Sequence, residues 1–417
     1  MPWYNKIGII VRFILLSAIF ALMLQYPASI LQAALRGVGI WWDVLFPSLL
    51  PFFIISEALL GFGIVHGIGA LLDPIMRPLF RVPGVGGFVV AMGYASGYPV
   101  GAKLTTRLRS EGLLTREEGE RLVSFTTTSD PIFLIGAVAV GFFGSPALAL
   151  PLAIAHYGAG LLLGIMMRFH AYRTPPTSAT SHLSTRTADH LVSRSSSIWI
   201  TAFRAMHIAR LQDGRPLGTL LTQAIQSSLK LMMVVGGLVV FFSVMMELLS
   251  SAGIMKAWDY MLRTVLSWMH LPESLAPALS GGIFEVTLGA KAAGSAEGAD
   301  LRMQVTAAAW IVSWAGLSVH AQVASLLNES DLRYTPFLIA RFIHGILAGL
   351  FAYLLFPWLA PYSAAWSAFL LPTTQLEPHT TWAWVVHSLQ WGGYLILGIG
   401  SLLLLASCIV RIIRLLR

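Results

Sequence analysis

The chain has 417 residues, of which 56% are hydrophobic and only 11% charged, with a mean hydropathy of +0.74. Soluble domains carry roughly 25% charged residues, so this composition excludes a soluble globular protein and marks a polytopic membrane protein. The formal charge of +8 sits in loops between apolar runs, which argues for membrane orientation and against a nucleic-acid partner, and the single Cys408 excludes an internal disulfide or a cysteine-based metal centre.

In chain order, full spans are expected near 7–25, 44–64, 121–144, 146–168, 231–252, 303–327, 335–357 and 384–408. Each approaches the roughly 20 residues that cross about 30 Å of hydrocarbon. Arg12 inside the first run, and the length of that run, read as a retained anchor rather than a cleaved signal. Two apolar stretches, 83–102 and 272–290, are broken by Gly, Pro, Ser and Thr into arms too short to cross. They read as re-entrant hairpins, a backbone that survives at depth only when buried in protein or lining a watery cavity. The Ser/Thr/Pro-rich stretch from 170 cannot bury enough apolar surface to order itself, and residues 198–215, with Arg204, Arg210 and Arg215, read either as a basic helix on the anionic leaflet or as a tether.

Two halves of the chain echo each other. Phe52, Glu57, Leu59, Gly63 and Ile64 match Phe242, Glu247, Leu249, Gly253 and Ile254; Gly101-Ala102-Lys103 recurs as Gly289-Ala290-Lys291, and Ser124-Phe125 as Ser313-Trp314, at offsets of 190, 188 and 189. With the N-terminus placed in the cytoplasm, nearly all basic residues, Arg341 and the C-terminal arginines among them, fall on the inside, while the loop 358–383 has no Lys or Arg. In that topology the span at 44–64 and its copy at 231–252 run in opposite directions. The halves are then inverted, with hairpins entering from opposite faces, the geometry that alternating access needs.

The organisation read from these features is an all-α polytopic membrane protein with an N-terminal anchor and interfacial helix over 1–43, a first repeat over 44–169 with its hairpin at 83–109, and a polar cytoplasmic linker over 170–216. A second repeat covers 217–357, with its hairpin at 272–291, and an extracytoplasmic loop and last span cover 358–417.

Ionisable and polar groups inside a membrane are functional candidates by default. The densest cluster runs Ser124-Phe125-Thr126-Thr127-Thr128-Ser129-Asp130-Pro131. Pro131 lacks an N–H and disfavours helix at Asp130, so hydroxyls, freed carbonyls and a carboxylate flank an unwound point; the plainer alternative is a kinked helix whose hydroxyls bond their own backbone. The matching point in the second half carries Ser318 and His320. His320 can bind an anion when protonated, pass a proton, or simply join two helices. Ser96-Gly97-Tyr98-Pro99 turns the first hairpin, and Pro99 suits the start of a helix whose N–H groups attract a carboxylate. The second turn carries Glu285 and Thr287; Glu285 can neutralise a lysine such as Lys291, bind a cation or carry a proton. Lys103 and Lys291 either face an anion or snorkel to the interfaces, and Glu57 and Glu247 read as anchors between span and hairpin, with Arg77, Arg81 or Lys256 as partners. No enzyme or metal motif stands out, no cofactor is implied, and sodium or proton coupling stays open.

The run Met92 to Lys103, with Pro83-Gly84-Val85-Gly86-Gly87 before it, Ser124 to Pro131 after it and Gly281 to Lys291 in the second half, resembles the sporulation integral membrane protein YlbJ family over roughly residues 40–357. The resemblance implies two copies of the nucleoside-recognition (Gate) module, a fold like that of concentrative nucleoside transporters, and, by that analogy, a trimer. It implies a protein of the mother cell in the outer forespore membrane that moves dipicolinic acid, a small aromatic dicarboxylate; the charge distribution above places both termini in the cytoplasm. The implied binding positions are Ser96 to Pro99, Thr126 to Asp130, Glu285 to Thr287 and Ser318 to His320. A nucleoside or other small-solute carrier, and a scaffold acting through the 170–216 linker, remain as alternatives.

Overall fold

A computed structural model describes residues 3–173 and 198–370. Every regular element among them is helical. The expected span at 384–408, with Cys408, lies outside the described residues.

The chain opens with α1 (Trp3–Gln25) and α2 (Pro27–Gly39). Pro27 starts α2 without an N–H to lose, and the apolar end of α1 meets α2 at a 101° bend. α2 packs along α10 (Leu217–Ser251), where Trp41 donates to the Met232 carbonyl at 2.9 Å and Arg36 pairs with Glu247 at 2.6 Å. Glu247 therefore anchors to α2, not to Lys256.

The expected span at 44–64 is α3 (Phe46–Gly61), which turns at Gly63 into the amphipathic α4 (Ile64–Phe80). α10 turns in the same way at Gly253 into α11 (Ile254–Trp268). Both glycines have φ of +75°, a left-handed turn that residues with a Cβ adopt only at a cost. The echo between Gly63 and Gly253 thus marks one repeated corner. α10 itself is 35 residues long and begins well before the expected span at 231.

Hairpin one is α5 (Val85–Ser96) and α6 (Val100–Ser110); hairpin two is α12 (Ala276–Phe284) and α13 (Val286–Gly294). Arms of 9 to 12 residues reach at most about 18 Å at 1.5 Å per residue, short of a bilayer core. After hairpin one, α7 (Arg116–Thr126) starts on a capping box between Thr115 and Glu118. It stops at Thr126, and the chain resumes as a π-helical segment, Ile132–Phe142. The span expected over 121–144 is thus broken at its centre, where Asp130-Pro131 marks an unwound point. After hairpin two, α14 (Leu301–Trp314), capped by Asp300, breaks at Ala315 into α15 (Gly316–Leu327). Each half closes with a long helix, α8 (Ala149–Met167) or α16 (Tyr334–Leu370), and these two pack against each other. Among the described residues, four segments are long and apolar enough to cross a membrane, Pro146–Met167, Leu217–Ser251, Leu301–Leu327 and Tyr334–Leu359, and the number rises to six if the bent pairs Leu16–Gln25 with Pro27–Asp43 and Phe53–Gly61 with Ile64–Phe80 each form one span.

Between the halves, α9 (Ile198–Asp213) packs on α4. Its Ala202 carbonyl and Met206 sit over Gly67 and Gly63, so this part of the linker docks on the first half. Arg210 and Arg215 are both held by Asp213.

The bases of the hairpins lie at opposite ends of the broken helices. At one end Arg109, closing α6, forks onto Asp331 between α15 and α16, with both N···O distances 2.8 Å. Glu120 there binds Arg333 at 2.7 Å and His170 at 2.7 Å. At the other end Gly294, closing α13, sits against the Phe142 carbonyl. Burial alone would raise the Glu120 carboxyl, but hydrogen bonds from Arg333 and His170 outweigh it and hold it below the ordinary range; the Arg109 fork does the same for Asp331. The unfolded chain protonates these groups near pH 4, and the folded chain does so only at lower pH. Their contribution to stability is therefore complete above about pH 4.3 and is lost as pH falls through the folded values. The midpoint of thermal unfolding in detergent should drop below about pH 4, and a Glu120→Gln, Asp331→Asn double variant should show a shallower drop; an identical acid limb would mean these pairs do not clamp the halves.

Candidate functional site

Helix ends at membrane depth leave carbonyls that water cannot reach. The breaks after Thr126 and Trp314 create two such ends, and the carbonyls around them are capped one by one from other elements. Tyr98, in the tip of hairpin one, donates its hydroxyl to the Val312 carbonyl. His320 Nε2 donates to the Trp314 carbonyl at 3.1 Å, while its Nδ1 accepts from the Tyr334 hydroxyl at 2.7 Å. Arg341 of α16, with 0% exposure, serves both breaks. Its Nη2 donates to the Ser124 carbonyl and its Nη1 to the Thr127 carbonyl, each at 2.6 Å, and Nη1 also reaches the Ser313 carbonyl at 3.4 Å. The negative ends of two helix dipoles thus face one guanidinium.

His156 of α8 is the second bridge. Its Nε2 accepts the Ser129 N–H at 3.1 Å, which fixes a lone pair on that nitrogen. Nδ1 then carries the proton and donates to Ser313 Oγ at 2.7 Å. Thr128 Oγ1 also meets Nε2, and His344 Nε2 donates to the His156 carbonyl at 2.9 Å. The ring is neutral in this arrangement and joins break one to break two.

Each hairpin tip rests on the break of its own half. Gly97, with φ of +73°, leaves no room for a Cβ, which would lie 2.8 Å from both the Asp130 N and Oδ2. Gly316, also at +73°, is equally close to Phe284 and Glu285 in tip two, where a Cβ would lie 3.0 Å from the Phe284 carbonyl. The arms of hairpin one also straddle the end of α7, because a Cβ on either Gly93 or Gly101 would lie 2.3 Å from the Thr126 carbonyl. Gly97→Ala should therefore lift the tip off Asp130, costing about 1–3 kcal/mol for the left-handed backbone alone. A thermal midpoint equal to wild type would contradict this contact.

Among known proteins, the nucleoside-recognition family Gate matches residues 43–210. The sporulation integral membrane protein YlbJ of Bacillus subtilis is 43% identical over 346 residues, covering 83% of this chain and 81% of that protein. The chain belongs to the YlbJ family of sporulation integral membrane proteins. An uncharacterized protein of Alkalihalophilus pseudofirmus is 29% identical over 168 residues, covering 39% of this chain and 35% of that protein. No solved structure matches.

In this YlbJ-family chain the expected site residues divide into three groups. Ser96, Gly97, Tyr98 and Pro99 form tip one, with Pro99 at the N-cap of α6, and Thr126 to Asp130 form break one beneath it. Asp130 Oδ1 accepts the Phe133 N–H at 2.8 Å and so caps the π-helical segment. Glu285 caps α13 by accepting the Leu288 N–H at 2.7 Å, and Thr287 also reaches it. Ser318 and His320 are buried at the start of α15. The lysines behave differently. Lys103 neither snorkels nor faces the breaks; it pairs with Glu57 at 3.4 Å and ties hairpin one to α3. Glu57 thus anchors span to hairpin as expected, but through Lys103 rather than Arg77 or Arg81. Lys291 is exposed at the surface and is not paired with Glu285.

Arg341, His156 and His344 escaped the sequence reading. Arg341 counted there as one more inside-facing basic residue. The available signal was its position: it lies seven residues into α16, within an apolar run, where an arginine is costly unless the interior needs it.

Proposed function

We propose that this sporulation membrane protein is a secondary transporter for a small polar solute, and that the solute is dipicolinate, crossing the outer forespore membrane from the mother cell. Two hairpin tips seated on two backbone breaks, with the breaks joined by Arg341 and His156, carry this reading. Broken helices near mid-membrane are where transporters build solute sites, because irregular backbone supplies unpaired donors and acceptors there. The hairpin bases at opposite ends of the broken helices support entry from two sides, and the repeated order of span, left-handed corner, amphipathic helix, hairpin and broken helix supports two inverted repeats.

Purified protein in liposomes should accumulate labelled dipicolinate, with sodium and pH gradients imposed in turn to identify the coupling ion. Asp130→Asn and His320→Ala should each reduce uptake at least tenfold. Cysteines placed at Ser96 and Phe284 should be labelled from opposite faces; labelling of both from one face only would refute two-sided access. The match to the nucleoside-recognition family favours one second reading, a nucleoside carrier. Uridine that competes with dipicolinate at equal concentration would select it.

A further inference from the structure

The carbonyl caps do not use every polar atom at the crossing of the two breaks. Tyr94 of α5 is 3% exposed, yet its hydroxyl makes no hydrogen bond to the rest of the protein. The same holds for Ser96 Oγ at the end of α5, for Thr127 Oγ1 in break one and for Arg341 Nε. Each belongs to a residue at or below 3% exposure. The Arg341 guanidinium bonds the carbonyl of Thr127 itself, and Tyr94 and Ser96 lie two residues apart on α5.

Gly160 of α8 lets Tyr94 pack closely against the helix: a Cβ built there would lie 2.9 Å from the Tyr94 hydroxyl and 3.4 Å from His344 Nε2, which places that hydroxyl beside His344, one turn along α16 from Arg341. A buried hydroxyl left unmade costs about 1–3 kcal/mol, so several beside one buried cation are hard to explain as packing. Arg341 Nε can only donate, and each of the three hydroxyls has a proton free to donate with it. The two nearby carboxylates, Asp130 and Glu285, are engaged as helix caps, and Arg341 has no carboxylate within 4 Å among the described residues. The crossing therefore has donors and a full positive charge but lacks an acceptor-only anion.

We propose that Arg341 Nε, the Tyr94 hydroxyl, Thr127 Oγ1 and Ser96 Oγ form a carboxylate-binding site at the crossing of the two broken helices. The site rests on the transport reading for its cargo and assigns that cargo's charged group to named atoms. One carboxylate oxygen faces the guanidinium, and the hydroxyls of α5 and break one turn toward the other.

Because the hydroxyls hold nothing else, they can be removed without unfolding the protein. Tyr94→Phe keeps the ring against Tyr157, 5.5 Å away. Thr127→Val suits the extended backbone at that residue. Both variants in nanodiscs should unfold within a degree or two of wild type. The Kd of dipicolinate should rise about tenfold in each, as expected for one hydrogen bond to a charged group. Wild type should bind the neutral diamide of dipicolinate at least a hundredfold more weakly than the dianion. Variants that bind dipicolinate as wild type does, or a diamide that binds as well as the dianion, would overturn the assignment while leaving liposome uptake as the test of transport. Tight, variant-sensitive binding without any uptake would keep the site and remove the transporter. A wild type that binds no carboxylate overturns the site.

Discussion

Arg341→Met is expected to abolish uptake and to lower stability by about 3 kcal/mol. The guanidinium donates to the carbonyls of Ser124, Thr127 and Ser313 from a position with no solvent exposure. Each buried carbonyl left without a donor costs about 1–3 kcal/mol. Removing a desolvated charge returns part of that sum, because a buried cation is itself expensive, so the net loss is smaller than three bonds would give. Arg341→Lys should fall between wild type and Met. An ammonium can reach one carbonyl, but it lacks the planar fork that spans two helix ends. Thermal midpoint and liposome uptake, measured on the same preparation, check both. A stable, fully active Met variant would show that the two breaks hold their shape without a shared cap.

His156→Ala should be almost as damaging, at about 3–5 kcal/mol, because it combines a cavity at a fully buried position with a lost acceptor for the Ser129 N–H and a lost donor to Ser313. The two nitrogens can be separated by choice of substitution. In His156→Gln the side-chain oxygen can stand where Nε2 stands and keep the contacts to Thr128 and Ser129. In His156→Asn the amide nitrogen can stand where Nδ1 stands and keep Ser313. Gln should therefore preserve break one and Asn should preserve the tie to break two. Each should recover about half of the stability lost in Ala, and neither should restore uptake. Full uptake in either would mean that the bridge between the halves is not needed for movement of solute.

Much of the architecture was legible in local chemistry. The corner at Gly63 and its copy at Gly253 were visible as a repeat, and both are left-handed turns. Asp130-Pro131 marked the first break because proline removes a donor and bars helix at the residue before it. The hairpins were legible because their arms are too short and too rich in glycine to be spans. Charge partners were not legible. Lys103 finds Glu57 and Glu247 finds Arg36 across long stretches of chain, and no spacing rule encodes such pairs. The extent of α10 was missed because its first turns are polar and lie before the apolar run.

Hydropathy, prolines and glycines, which act within a few residues of themselves, by themselves determined that this chain enters the membrane, where its backbone breaks, and which stretches turn back. Only the tertiary structure decided what the breaks are for. A carbonyl freed at Ser124 or Ser313 must find a donor, and in a medium without water that donor has to come from whichever helix packs there. Arg341 and His156 acquire their roles from that packing: Arg341 lies 214 and 217 residues from the Thr127 and Ser124 carbonyls it holds, and His156 lies 28 and 27 residues from Thr128 and Ser129.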